Sequence, residues 1–232
     1  MYKITATISA AALLLLSNSV FGAARVNVAH FAPFADTIDG TAVDIAVDGT
    51  VALPNVKFKD FTEAPVELEA GTYTIDVIPV GASEPAITGE FTLSDDTDYF
   101  LYAVGNGTTQ DLELRALLDT TDAPAAGNLN LRVVHAAPFA MDLAATEVSI
   151  RTAGGTVVNN LVGVPYNGES GFFQVAEGNY DLKVASNDGS VNYIDPLPAD
   201  LPAGADVTGL QTVLIAQGSD QNEDLALAAA IN

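Results

Sequence analysis

The stretch His30-Phe31-Ala32-Pro33-Phe34-Ala35 (HFAPFA) recurs 105 positions later as His135-Ala136-Ala137-Pro138-Phe139-Ala140 (HAAPFA). The two segments hold both histidines of the chain, so they mark either a paired chemical feature or a duplicated fold. The neighbouring residues decide for duplication. Val26, Val28 and His30 fall on Leu131, Val133 and His135, each an alternating strand that runs into an Ala-Pro break. Further on, 71–77 (GTYTIDV) matches 178–184 (GNYDLKV) at an offset of 107. Then 101–105 (LYAVG) matches 214–218 (LIAQG), and 111–114 (DLEL) matches 224–227 (DLAL), both at an offset of 113. An offset that grows in steps while the strand pattern persists is what duplication followed by loop insertion produces.

The chain therefore reads as a first repeat over 25–118, a linker over 119–128 and a second repeat over 129–232. The linker, DTTDAPAAGN, is small and polar with no apolar period. Within a repeat, Val43-Asp44-Ile45-Ala46-Val47-Asp48 puts β-branched residues on one face and acids on the other, and Asp48-Gly49 supplies a hairpin turn. The segment 99–104 is apolar on both faces, as in a central strand. Gly71 and Gly178 precede Tyr73 and Tyr180; a tight turn with φ > 0 is expected at these glycines, with each tyrosine ring capping the core and its hydroxyl reaching backbone. Seven to nine short strands per copy predict an all-β chain: two tandem immunoglobulin-like antiparallel β-sandwich domains after an N-terminal signal peptide.

Residues 1–23 carry the signal-peptide pattern, Lys3 followed by the apolar run 8–16 and then small residues, with cleavage near 22–24. That run is too short to span a bilayer comfortably, and no second long apolar run follows, so no membrane span is expected once it is removed. A periplasmic or extracellular (secreted) protein is expected. The chain has no cysteine, so exported folds of this size must be held by packing alone. With 8 basic against 30 acidic residues the formal net charge is −22, one unit more negative without Lys3. Such a surface repels phosphate, which excludes nucleic acid and an anionic membrane as partners; it reads as solubility by self-repulsion.

The patterns R-V-x-V-x-H-x-A-P from Arg25, L-x-V-V-H-A-A-P from Leu131 and A-G-T-Y-T-x-x-V from Ala70 resemble the bacterial family of domain of unknown function 4397. The resemblance covers both copies. It implies exported β-sandwich modules, often in tandem, and brings no activity with it. Phe34 and Phe139 stand where that family usually has an aspartate, and Glu147-Val148-Ser149 stands where the first copy has Ala42-Val43-Asp44.

Three sets of residues are candidate sites. His30 and His135 are the first, with Pro33, Phe34, Pro138 and Phe139 beside them as an interaction surface or a structural corner. A metal site wants three or four convergent ligands and a catalytic base wants a positioned nucleophile. Each copy offers one histidine, no cysteine and no G-x-S-x-G, which favours a histidine bonded to loop backbone at a strand end. Asp95, Asp96 and Asp98 are the second set, candidate calcium ligands, although their spacing does not match the EF-hand loop and aspartate is an ordinary turn former. The third set is Phe34 and Phe139 read as a sticky patch for sugar or peptide, against closure of the sandwich end, which is favoured. No catalytic residue and no cofactor is expected, calcium being the one ion the acids would suit. The expected function is a non-catalytic exported binding or structural module, taking an unknown protein or polysaccharide ligand through its loops. The alternatives are a calcium-stabilised adhesion module and a hydrolase built on the His30/His135 corner. Nothing in the pattern sets an oligomeric state.

Overall fold

Period-two alternation becomes eight strands in the first half of the chain: β1 (Ala24–His30), β2 (Val43–Val47), β3 (Thr50–Val56), β4 (Val66–Leu68), β5 (Gly71–Pro79), β6 (Ile87–Leu93), β7 (Asp98–Val104) and β8 (Glu113–Leu118). The second half gives β9 (Asn128–His135), β10 (Ser149–Thr152), β11 (Phe173–Ala176), β12 (Gly178–Tyr180), β13 (Leu182–Ala185), β14 (Asn192–Ile194), β15 (Ala199–Leu201), β16 (Gln211–Ser219) and β17 (Glu223–Ile231). The structure is a computed structural model. It describes residues 22–62, 64–119 and 123–195 in full, and the backbone alone of strands β15, β16 and β17. The signal-peptide reading of 1–23 lies almost wholly outside the described residues, as do residues 120–122 of the 119–128 linker.

The chain divides into two compact units, Met1–Thr120 and Thr121–Asn232. In unit 1 two four-stranded sheets, ordered β4-β1-β7-β8 and β3-β2-β5-β6, enclose one core. Val26 and Val28 of β1, Val43 and Ile45 of β2, Ile75 and Val77 of β5 and Leu101 of β7 meet there, all buried. Each such side chain contributes about 1.5–3 kcal/mol on burial, which lets the unit do without disulfides. The Asp48-Gly49 turn closes β2 onto β3 with φ of 48° and 76°, the left-handed pair a type I′ hairpin requires.

Unit 2 repeats the order: β11-β9-β16-β17 corresponds to β4-β1-β7-β8, and β10-β13-β14 to β2-β5-β6. Its cores are Val133, Val148, Ile150, Leu161, Val184 and Ile194, and Leu129 with Leu131. The third strand of the second sheet is reduced to the bridges Arg151↔Val157 and Val148↔Val164.

One pairing in each unit corrects the expectation of an antiparallel sandwich. β1 runs parallel to β7, with Val28 opposite Leu101, and β9 runs parallel to β16, with Val133 opposite Leu214. Parallel neighbours need a long crossover; in unit 1 β2 to β6 lie between the two partners in sequence and supply it. Strand β7 is buried on both faces. Leu101 faces the core, while Phe100 and Tyr102 stack on the other face at 5.4 Å, with Phe31 tilted against each at 6.4 Å.

Candidate functional site

Strand β1 stops at His30 because the chain must turn into Ala32-Pro33, and proline has no N–H to continue a ladder. The His30 N–H donates to Asp60 O at 2.9 Å, and Lys59 N–H donates to His30 O at 2.8 Å. The strand end is thus clamped to the loop after β3. The side chain turns inward and is fully buried. Its Nε2 lies 2.8 Å from the Thr41 carbonyl oxygen, an acceptor, so Nε2 carries the proton. Nδ1 then accepts from the Ala32 N–H at 3.3 Å. Both ring nitrogens are committed to backbone. Burial pushes the imidazole down from its ordinary 6.5 to about 4, opposed in part by the hydrogen bond to Thr41, so the ring is neutral at pH 7.

The second copy reproduces this arrangement. His135, 1% exposed, places Nε2 2.8 Å from Thr146 O and accepts from the Ala137 N–H at Nδ1, 3.3 Å away. Its backbone is clamped by Gly168 O at 2.9 Å and the Asn167 N–H at 2.8 Å. In each unit the residue that receives the histidine closes a single turn of 3-10 helix, Asp39–Thr41 or Leu143–Thr146. The Thr41 hydroxyl donates to Ile38 O at 2.6 Å and accepts from the Phe58 N–H at 2.9 Å. The Thr146 hydroxyl does the same with Leu143 O at 2.7 Å and the Tyr166 N–H at 2.9 Å. Both threonines are buried. A further hydroxyl, Thr62 in one copy and Ser170 in the other, accepts the N–H of Val28 or Val133.

Phe34 lies over the His30 ring at 5.8 Å and 26°, and Phe139 over His135 at 5.7 Å and 31°. Both are half-buried against their cores, and Pro33 and Pro138 are buried. Each phenylalanine thus packs on its own histidine ring and on the core of its own unit. The corner can fix the path from β1 to β2, and in both copies the ring nitrogens meet backbone groups of the following loop.

The acidic candidates do not converge. Asp98 is held by Arg25 through two bonds, Nε to Oδ1 at 2.6 Å and Nη2 to Oδ2 at 2.7 Å, while Asp95 and Asp96 are exposed in the β6–β7 turn. Among the described residues no three or more histidine, cysteine, aspartate or glutamate side chains gather as a metal set. Asp44 and Asp48 accept the N–H groups of Asn55 and Thr74 at 2.8 Å, so they serve turns and strand ends.

The tyrosines behave alike. Tyr73 donates its hydroxyl to Glu69 O at 2.9 Å and Tyr180 donates to Ala176 O at 2.6 Å, each four residues back. The positive φ expected ahead of them is present at Gly178, 155°, and not at Gly71; Gly71 opens β5 in register with Leu93. Because the Tyr73 bond joins a phenol to a backbone carbonyl at a partly exposed site, Tyr73→Phe should cost unit 1 about 1 kcal/mol. Urea unfolding followed by circular dichroism measures it, and an unchanged midpoint would show that water satisfies Glu69 equally well.

Thr41 and Thr146 escaped sequence reasoning, although a signal was present: each lies eleven residues after its histidine, a spacing kept while the residues between changed from FAPFADTIDG to AAPFAMDLAA.

A family model described as "Domain of unknown function (DUF4397)" matches residues 24–146. No curated protein matches the chain. Among solved structures, the chain is similar to one described as a "putative cell adhesion protein" from Bacteroides uniformis, at 12% identity and a TM-score of 0.27, covering 94% of this chain and 99% of that one.

Proposed function

The chain belongs to the DUF4397 family, and from that premise we propose that it is a non-catalytic exported module: two immunoglobulin-like sandwiches in tandem that bind a protein or polysaccharide through loops at the sandwich ends. One observation carries the reading. His30, the group best suited to acid–base chemistry in unit 1, spends both ring nitrogens on backbone, and His135 meets the same two kinds of partner. The corner is scaffold in both copies, and the segments it anchors are what faces outward. Between histidine and threonine each copy exposes an apolar side chain at the same offset, Ile38 at 42% and Leu143 at 52%, with Met141 beside the latter at 77%. Exposed apolar side chains on loops held by a rigid frame are the ordinary material of a recognition surface. The export signal read in residues 1–23 and the strongly acidic composition support a role outside the cytoplasm, and the reading involves no cofactor.

The test compares the mature protein with an Ile38→Asp, Met141→Asp, Leu143→Asp variant as bait against native envelope and medium fractions. Circular dichroism should show the variant folded, since all three sites are exposed. Loss of a specifically retained partner is the expected result; retention of the same partner by the variant would sink the loop reading.

A further inference from the structure

Along β5 the backbone of alternate residues turns toward β2: Thr74 O accepts from the Asp48 N–H at 2.8 Å, and the Val80 N–H donates to Ala42 O at 2.9 Å. The intervening residues, Tyr73, Ile75 and Val77, therefore bond β6, where Phe91, Gly89 and Ile87 face them. Thr88, Glu90 and Thr92 then aim their N–H and C=O groups off the free edge of the sheet, of which β6 is the last strand. All three residues are exposed, and no strand among the described residues pairs with them on that side.

This edge lacks the devices that blunt two other edges of unit 1. β3 carries Pro54, Asn55 at φ 56° and two register shifts, and β4 is three residues long. β6 runs seven residues, ITGEFTL, with no proline, lysine or arginine and no shift against β5. Its counterpart in unit 2, β14, has three residues. The inward row of β6 is apolar. Ile87 and Phe91 pack on the core, Leu114 of β8 stands 3.5 Å from where a Cβ on Gly89 would lie, and Phe91 and the exposed Ala116 border the same gap between the sheets. On the outward face Glu90 lies opposite Thr74, with Asp76 opposite Thr88 next to it, and β2, β5 and β6 carry no basic residue.

We infer that β6 receives an extended segment of a partner protein as an added strand, with a lysine or arginine opposite Glu90 and apolar residues alternating with it. Donors and acceptors that repeat at every second residue match another peptide strand; a glycan or an acyl chain has no such repeat. A second copy of this chain would meet the edge by two-fold antiparallel pairing, which sets Glu90 opposite its own equivalent, and directly opposed like charges destabilise a sheet. A basic residue there reverses the sign, with the Asp76 carboxylate adding to the attraction. The residues on either side of it point inward, over Gly89, Phe91 and Ala116, where an aliphatic side chain buries apolar surface. The edge is independent of the loop surface at Ile38, Met141 and Leu143, so either can fail alone.

The test titrates an end-blocked peptide of sequence TVTVKVTVT into the full mature chain and follows amide hydrogen exchange by NMR. In the free protein the amides of Thr88, Glu90 and Thr92 should exchange fast, and those of Ile87, Gly89 and Phe91 slowly. Saturating peptide should slow the first three by about tenfold. The peptide TVTVEVTVT should bind about tenfold more weakly, and Glu90→Lys, an exposed change, should reverse that order. No gain of protection, or equal affinity for both peptides, would overturn the proposal. Protection of Thr88, Glu90 and Thr92 before any peptide is added would also overturn it, because the edge would then be covered by the chain's own residues or, where protection grows with protein concentration, by a second copy.

Discussion

Replacing His30 by alanine should lower the stability of unit 1 by about 3–5 kcal/mol. The imidazole satisfies the Thr41 carbonyl and the Ala32 N–H in a fully buried place. Truncation leaves both orphaned, at roughly 1–3 kcal/mol each, and opens a void under the Phe34 ring that stacks on it. The loosened turn then holds Thr41 less firmly, and with it the Phe58 N–H that the threonine hydroxyl accepts. Against a typical total of about 5–15 kcal/mol for a domain, this is a large fraction, and His135→Ala should weaken unit 2 through the same set of bonds. Asp36→Ala, an exposed change in the same loop, should stay within about 0.5 kcal/mol. Urea unfolding of the full chain followed by circular dichroism reads all three. A loss under about 1 kcal/mol for His30→Ala would reverse the structural assignment, because removing a catalytic histidine usually costs activity and leaves stability unchanged or improved.

What could be read from the sequence divides along the reach of the interactions. Strands were legible where the period is local: Val43-Asp44-Ile45 declares its faces by alternation, and the Asp48-Gly49 turn declares itself by residue type. Strand direction was not, since alternation is the same for a parallel and an antiparallel partner; nothing in Val28 or Leu101 states that they lie side by side in parallel. The histidine corner was half legible. Its recurrence marked the end of a strand in each copy, but the acceptor is the backbone carbonyl of a residue eleven positions on, and any residue type has a carbonyl. Threonine is fixed there by a different demand, a hydroxyl that both donates to the turn and accepts from the next segment. Asp98 shows the same limit. Its neighbours Asp95 and Asp96 suggested a cation, while its partner, Arg25, lies 73 residues away.

Acidifying the protein from pH 6.5 toward 4 should cost unit 1 about 3 kcal/mol through His30 alone. In the folded state its pKa is about 4, against 6.5 in the unfolded chain. Between those values the unfolded state binds the extra proton and the folded state does not, so stability rises with pH across the window. The contribution is fully present above 6.5 and is lost as the pH falls through the window. The structural reason is specific: a second proton would sit on Nδ1, which faces the Ala32 N–H, and two donors cannot share that bond. Carboxylates act in the same direction but lower down. Asp188, drawn to about 2 chiefly by the Ser186 hydroxyl, with Ser190 adding to it, and Asp39, lowered by Lys57, lose their contributions only below the ordinary carboxylate range. The interval from 6.5 to about 4.5 therefore isolates histidine. The urea midpoint of unit 1 at pH 7.5, 5.5 and 4.5 should fall steadily in the wild type, and in His30→Gln, where position 30 cannot titrate and His135 remains only in unit 2, it should start lower and stay nearly flat. A wild-type midpoint constant to pH 4.5 would mean that His30 protonates as readily folded as unfolded, which a ring sealed between the Thr41 carbonyl and the Ala32 amide does not permit.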